Sequence, residues 1–206
     1  MDRVILHSDA NCFYAGVEML YHPELRERPM AVGGNGTGRY GIILTANYIA
    51  KRKGVKTGMA VWQAVEACPE LTVIPPRMEL YLRFSEWLRE IYREYTDRVE
   101  PFGSDECWLD VTESVGIKGD GLHVAEEIRN RVKAELGITV SVGVSFNKIF
   151  AKLGSDYKKP DAVTTMLRCE FQKKAWPLPA GDLLLVGRST KKKLTELGVG
   201  TIGDIA

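Results

Sequence analysis

The sequence predicts an α+β fold, a mixed β-sheet backed by helices. Three observations carry this. Apolar residues recur at helical spacing in some stretches, with Phe84, Leu88, Ile91 and Tyr95 following Leu80. Others alternate with period two: Val140, Val142 and Val144 interleave with Ser141, Gly143 and Ser145. The chain has 206 residues, 45% hydrophobic and 27% charged, with no internal repeat or low-complexity stretch, so it can bury a sizeable core.

Residues 3–8 read as a short buried strand that runs into Asp9, followed by an amphipathic helix from about Cys12 to Tyr21. An acid thus stands where strand meets helix. Between Met30 and Leu44 two short apolar runs flank Gly33, Gly34, Gly36 and Gly38, which predicts two strands and a mobile turn. Small helices are expected near 47–53 and 60–68, before Pro75-Pro76 punctuates the chain, and one long helix over 77–97. Residues 99–102 and 106–111 flank Gly103-Ser104-Asp105 as a strand, turn, strand unit. Asp120 is the expected N-cap of a helix carrying Leu122, Ala125, Ile128, Val132 and Leu136, closed by Gly137. The strand at 139–145 leads into a lysine-rich helix near Asn147. A new unit begins near Gln172, where Pro177 and Pro179 interrupt the chain ahead of a short basic helix at 188–197.

No apolar run approaches the roughly 18 residues a membrane span needs, and the first residues lack a secretory pattern, so a cytoplasmic protein with no membrane partner is expected. Cys12, Cys68, Cys107 and Cys169 have no paired spacing and are expected to be reduced. Net charge is only +1, yet basic residues crowd the chain after residue 146, which allows either a basic binding face or a solvated lysine-rich one.

Asp105 and Glu106 are adjacent acids beside Cys107, Trp108 and Leu109, in a stretch apolar enough to be buried. Buried carboxylates need a cation or a proton, and no basic neighbour in sequence supplies one. A divalent ion held by carboxylates, a carbonyl and phosphates is one solution; a pair that caps an exposed hairpin is the other.

At five places the sequence becomes more specific. Asp9-Ala10-Asn11-Cys12-Phe13-Tyr14-Ala15-Gly16-Val17-Glu18 resembles the opening motif of Y-family lesion-bypass DNA polymerases of the DinB and UmuC type. Thr45-Ala46-Asn47-Tyr48 with Gly54 to Met59 resembles the fingers motif, and Ser104 to Asp110 the catalytic hairpin. Gly143 to Lys148 with Ala151-Lys152, then Lys159-Pro160, resembles the stretch after it. The resemblance is close over residues 3–166 and looser from Lys192 to Ala206, which looks like a helix-hairpin-helix region.

The resemblance implies a mixed-sheet, ferredoxin-like palm (1–10 and 77–166), small α/β fingers (11–76) and the start of a helical thumb (167–206). It implies translesion synthesis: a primer 3′-hydroxyl attacks the α-phosphate of a deoxynucleoside triphosphate at two Mg²⁺ ions. Asp9, Asp105 and Glu106 would converge as catalytic metal ligands, joined by the Ala10 carbonyl. Cys12, Phe13, Tyr14, Thr45, Tyr48, Lys51, Arg52 and Lys159 would bind the nucleotide, with Tyr14 as the steric gate against ribose. Ile42 and Leu44 would roof the templating base, and Lys148 and Lys152 would reach DNA or triphosphate. Implied partners are primer-template DNA, the nucleotide, and a sliding clamp reached through a C-terminal region. The chain would end within the thumb, as a monomeric fragment of a longer protein.

Four positions depart from the pattern. Lys51 stands where arginine is usual, giving a point charge in place of a bidentate fork, with Arg52 next to it. Asn11 replaces the second acid common in the DinB branch and matches the UmuC branch, which leaves the branch open. Leu44 makes a bulkier roof, and Leu185-Val186-Gly187 replaces a Gly-x-Gly hairpin. Two other functions remain to be weighed: a non-catalytic scaffold of a mutagenesis complex, which could lose any of the three acids, and a palm-fold nucleotide cyclase, which does not account for residues 11–76.

Overall fold

A computed structural model describes residues 2–34 and 41–206. In chain order the elements are β1 (Ile5–Ala10), α1 (Phe13–Tyr21), β2 (Met30–Gly33), β3 (Ile43–Ala46), α2 (Tyr48–Arg52), α3 (Val61–Ala67), β4 (Thr72–Ile74) and α4 (Met78–Arg93). There follow β5 (Val99–Phe102), β6 (Glu106–Asp110), α5 (Gly121–Leu136), β7 (Val140–Ser145), α6 (Lys148–Tyr157), β8 (Val163–Met166), α7 (Phe171–Ala175) and α8 (Arg188–Glu196). The chain divides into two compact units, one of Met1–Asp9, Leu88–Glu135 and Thr139–Ala206, the other of Ala10–Trp87 and Leu136–Ile138.

The first unit is built on a sheet of order β5-β6-β1-β7-β8. β1 and β5 each pair with β6 antiparallel, and β7 pairs with β8 parallel, so the sheet is mixed as the sequence predicts. Because side chains alternate along a strand, Ile5, His7 and Asp9 share one face of β1, opposite Asp110, Trp108 and Glu106 in register. That face carries α6, through a cluster of Ile5, Trp108 and Ala151. Leu6 and Ser8 point the other way, where Ser8 Oγ lies 2.9 Å from the Tyr92 hydroxyl of α4.

β7 is buried along its whole length. Its period of two separates two buried faces rather than core from solvent, because α6 lies directly on Gly143. A Cβ added there would stand 1.9 Å from the Ala151 carbonyl oxygen and 2.5 Å from the Ser155 nitrogen. Asn147 caps α6, its side chain accepting from the Phe150 amide at 2.8 Å, and Asp120 caps α5 through the His123 amide.

The second unit has a sheet of order β3-β2-β4 around a core of Ala31, Ile43, Ala46, Ala50, Val55, Val61, Ala64 and Cys68. The strands expected between Met30 and Leu44 pair antiparallel, and Gly36 and Gly38 of the expected turn lie outside the described residues. α1 is fixed by a buried polar knot: Glu18, fully buried, receives Arg77 Nη2 at 2.6 Å, Arg77 Nε at 3.0 Å and the Tyr81 hydroxyl at 2.6 Å.

Sequence patterning missed β4 and β8, which are three and four residues long and pair parallel, with no hairpin turn to mark them. α4 ends at Arg93 rather than 97, although Tyr95 beyond it is still buried. Leu122, expected on the buried face of α5, is exposed. Leu185 has φ 68, the left-handed conformation that favours glycine, so the loop keeps a glycine-like backbone with leucine in it. The four cysteines are free, and no helix among the described residues is long and apolar enough to cross a membrane.

Candidate active site

Asp9, at the end of the first unit's part of β1, faces Glu106 across the antiparallel pair, and Asp105 sits on the turn just before β6. Their cationic partners come from the far end of the sequence. Lys152 Nζ lies 2.6 Å from Glu106, 2.9 Å from Asp9 and 3.2 Å from Asp156. Lys159 Nζ lies 2.7 Å from Asp9 and 2.8 Å from Asp156. His7, wholly buried, has Nε2 3.1 Å from Glu106 Oε2 and Nδ1 2.8 Å from Ser155 Oγ.

Asp105 and Glu106 do not feel the same field. Burial pushes the Asp105 carboxyl up to about 6, and the charges of Asp9 and Glu106 push in the same direction. Burial alone would also raise Glu106, but His7 and Lys152 outweigh it and hold Glu106 down to about 2. Burial lowers the Lys152 ammonium, yet Asp9 and Glu106 reverse this and raise it. Asp105 thus carries the unrelieved negative charge of the cluster.

Among the described residues no three His, Cys, Asp or Glu side chains gather closely enough to hold a metal ion between them. Asp9 and Glu106 are drawn onto the Lys152 ammonium, while Asp105 stays on the turn. The donor set nevertheless fits a hard divalent cation. All three side chains offer carboxylate oxygens, the raised pKa of Asp105 marks excess negative charge, and Asp9 and Glu106 already share one cation, the Lys152 ammonium, at 2.9 and 2.6 Å.

In the second unit, α1 starts after Cys12, whose backbone is left-handed (φ 48), and has no side-chain cap. Phe13 is buried; Tyr14 is partly exposed and stacks on Tyr81 with ring centroids 4.3 Å apart. Thr45 is buried on β3, while Ile42 and Leu44 alternate with the buried Ile43 and are more exposed. Asn47 caps α2 through the Ala50 amide at 3.0 Å, and Lys51 lies over the Tyr48 ring at 5.1 Å. Arg52 is exposed.

The model of the impB/mucB/samB family matches residues 8–156. The chain belongs to this family. It is 60% identical over all 206 residues to DNA polymerase IV of Acetivibrio thermocellus, covering 52% of that protein. It is 45% identical over 204 residues to DNA polymerase IV 1 of Bacillus subtilis, covering 49% of it. The chain therefore spans about half the length of the curated relatives it matches. Among solved structures it resembles the insertion ternary complex of Dbh DNA polymerase with a TM-score of 0.90 at 31% identity. It also resembles DinB from Sulfolobus solfataricus with a TM-score of 0.89 at 32% identity. Each comparison covers 98% of this chain, and 60% and 59% of the respective structure. The subfamily left open by Asn11 falls, by these similarities, on the polymerase IV side.

Within this family member the structure gives Lys148 and Lys152 different surroundings. Lys148 pairs with Glu100 and lies over the Trp108 ring, whereas Lys152 is on the carboxylates. His7, Ser155 and Asp156 are site residues that sequence reading missed. His7 could have been found by period: it is two residues before Asp9, hence on the same face of the strand.

Proposed function

We propose that this chain is the catalytic part of a template-directed DNA polymerase of the lesion-bypass type. The observation that carries it is the Asp9 and Glu106 pair in register on neighbouring strands, with Asp105 at the adjoining turn. Polymerase IV relatives match the chain over its whole length. The boundaries of palm (1–10 and 77–166), fingers (11–76) and thumb (167–206) belong to this proposal, as does a cytoplasmic location.

Asp9, Asp105, Glu106 and the Ala10 carbonyl would hold two Mg²⁺ ions. When bound, these lower the pKa of the primer 3′-hydroxyl and neutralise charge on the triphosphate. The chain's own residues do the positioning. Lys159, already 2.7 Å from Asp9, would turn to a triphosphate oxygen together with Thr45, Tyr48, Lys51 and the amides of Cys12 and Phe13, with Arg52 as a substitute for Lys51. Tyr14 would lie under the sugar and leave no room for a 2′-hydroxyl. Ile42 and Leu44 would cover the templating base, and Lys148 and Lys152 would serve DNA or the triphosphate once released from Glu100 and the carboxylates. A sliding clamp remains a proposed partner of the whole protein.

The test is primer extension by the purified protein with Mg²⁺ on undamaged and damaged templates. Template-directed addition on both is expected. No extension under any condition favours a non-catalytic scaffold.

A further inference from the structure

We infer that His7 is a positioning residue for Glu106, holding its carboxylate alongside Lys152. The inference rests on the polymerase reading for its kinetic arm only. His7 is fully buried in β1, and none of the chemistry above uses it. Its ring is fixed on two sides: Nδ1 is 2.8 Å from Ser155 Oγ on α6, and Trp108 meets the ring edge-on with centroids 5.0 Å apart. Nε2 is left aimed at Glu106 Oε2 across 3.1 Å. Both atoms are buried; Glu106 Oε2 also meets Lys152 Nζ at 2.6 Å, whereas among the described residues Nε2 faces no other partner. In the tautomer with Nε2 protonated, Ser155 Oγ donates to Nδ1, and a small rotation of the carboxylate makes an N–H donor bond from His7 that satisfies the buried Nε2.

Lys152 also reaches Glu106, but it serves Asp9 and Asp156 as well. His7 is short, pinned by Ser155 and dedicated to one acid. Such partners of a ligating carboxylate orient it, and their loss typically costs about 10–100-fold in metal affinity or activity.

The experiment compares His7→Gln, His7→Asn and His7→Phe in the purified protein. Gln places an amide N–H near the Nε2 position; Asn reaches only the Nδ1 side; Phe keeps the ring without donors. Two quantities are read: Mn²⁺ affinity by electron paramagnetic resonance without nucleotide, and kcat and KM for one templated nucleotide. Expected is near-normal behaviour for Gln. For Asn and Phe, Mn²⁺ should bind about tenfold or more weakly, and kcat should fall similarly with KM little changed. Ser155→Ala, which unpins the ring but leaves it in place, should move both readouts the same way by less. Asn and Phe variants indistinguishable from wild type overturn the inference. So does a Gln variant as impaired as Phe, which reveals a packing role. If the wild type extends no primer, the functional reading fails while the Mn²⁺ arm still decides the role of His7.

Discussion

At the scale of single residues, Asp105 and Glu106 are tuned apart by their neighbours, and this has a measurable sign. Asp105 has its pKa raised from 3.8 to about 6. A carboxyl whose folded pKa exceeds its unfolded value costs stability where both states are ionised, above about pH 6. The cost disappears as pH falls toward 4. In the metal-free protein Asp105→Asn should therefore stabilise the fold at pH 8, by up to about 3 kcal/mol, and the gain should shrink through pH 6. Denaturant unfolding in a chelator at several pH values checks this; a gain that is absent, or constant with pH, contradicts it. Tyr14 and Phe13 are adjacent residues with different surroundings. Phe13 is buried, so Phe13→Ala should cost about 3–5 kcal/mol by leaving a cavity. Tyr14→Ala should raise the ratio of ribonucleotide to deoxynucleotide kcat/KM sharply, and an unchanged ratio would remove Tyr14 from the sugar.

Elements place these residues, and two contacts between elements decide whether they do. α6 delivers Lys152 and Ser155 because it lies directly on Gly143 of β7. Gly143→Ala would drive a methyl group to within 1.9 Å of the Ala151 carbonyl oxygen, so α6 must move. The variant should lose about 3 kcal/mol or more, read by thermal unfolding; near-native stability would mean that the packing is looser than described. In the other unit, Arg77→Ala would leave Glu18 buried without its cation, expected to cost about 3 kcal/mol, and Arg77→Lys should recover only part of it.

The same elements show what was legible in the sequence. β1, α1, α5, β7 and α6 emerge from period and capping residues, because each is long enough to repeat its pattern, and the short β5 emerges from the Gly103-Ser104-Asp105 turn that joins it to β6. β4 and β8 are as short and pair parallel with their neighbours, so no hairpin turn marks them. The acids were visible as motifs. Lys152 and Lys159 were visible as motif residues too, but their pairing with the acids was not, because Lys152 is 143 residues from Asp9 and meets it only through the β1, β7 and α6 layering. His7 looked like part of an apolar strand, and only the register with Trp108 and Glu106 makes it a member of the site.

At the scale of the whole molecule, near-neutral charge hides a divided distribution. The late lysines are partly consumed by acids: Lys152 and Lys159 by Asp9 and Asp156, Lys148 by Glu100, Lys174 by Glu170. Binding of duplex should therefore depend less on Lys159 than nucleotide use does. Lys159→Ala should lower kcat/KM for the nucleotide and leave the salt slope of duplex affinity nearly unchanged; a shallower slope with normal kinetics would reassign it to DNA phosphate. The central claim is that Asp9, Asp105 and Glu106 form one catalytic centre for templated nucleotide addition. Its most direct test is the single-turnover rate of adding the template-matched nucleotide, with Mg²⁺, by wild type and by Asp105→Ala shown to be folded by circular dichroism. A loss of about a hundredfold to a thousandfold or more is expected for the variant; a folded Asp105→Ala protein that extends the primer within about tenfold of wild type would contradict the claim.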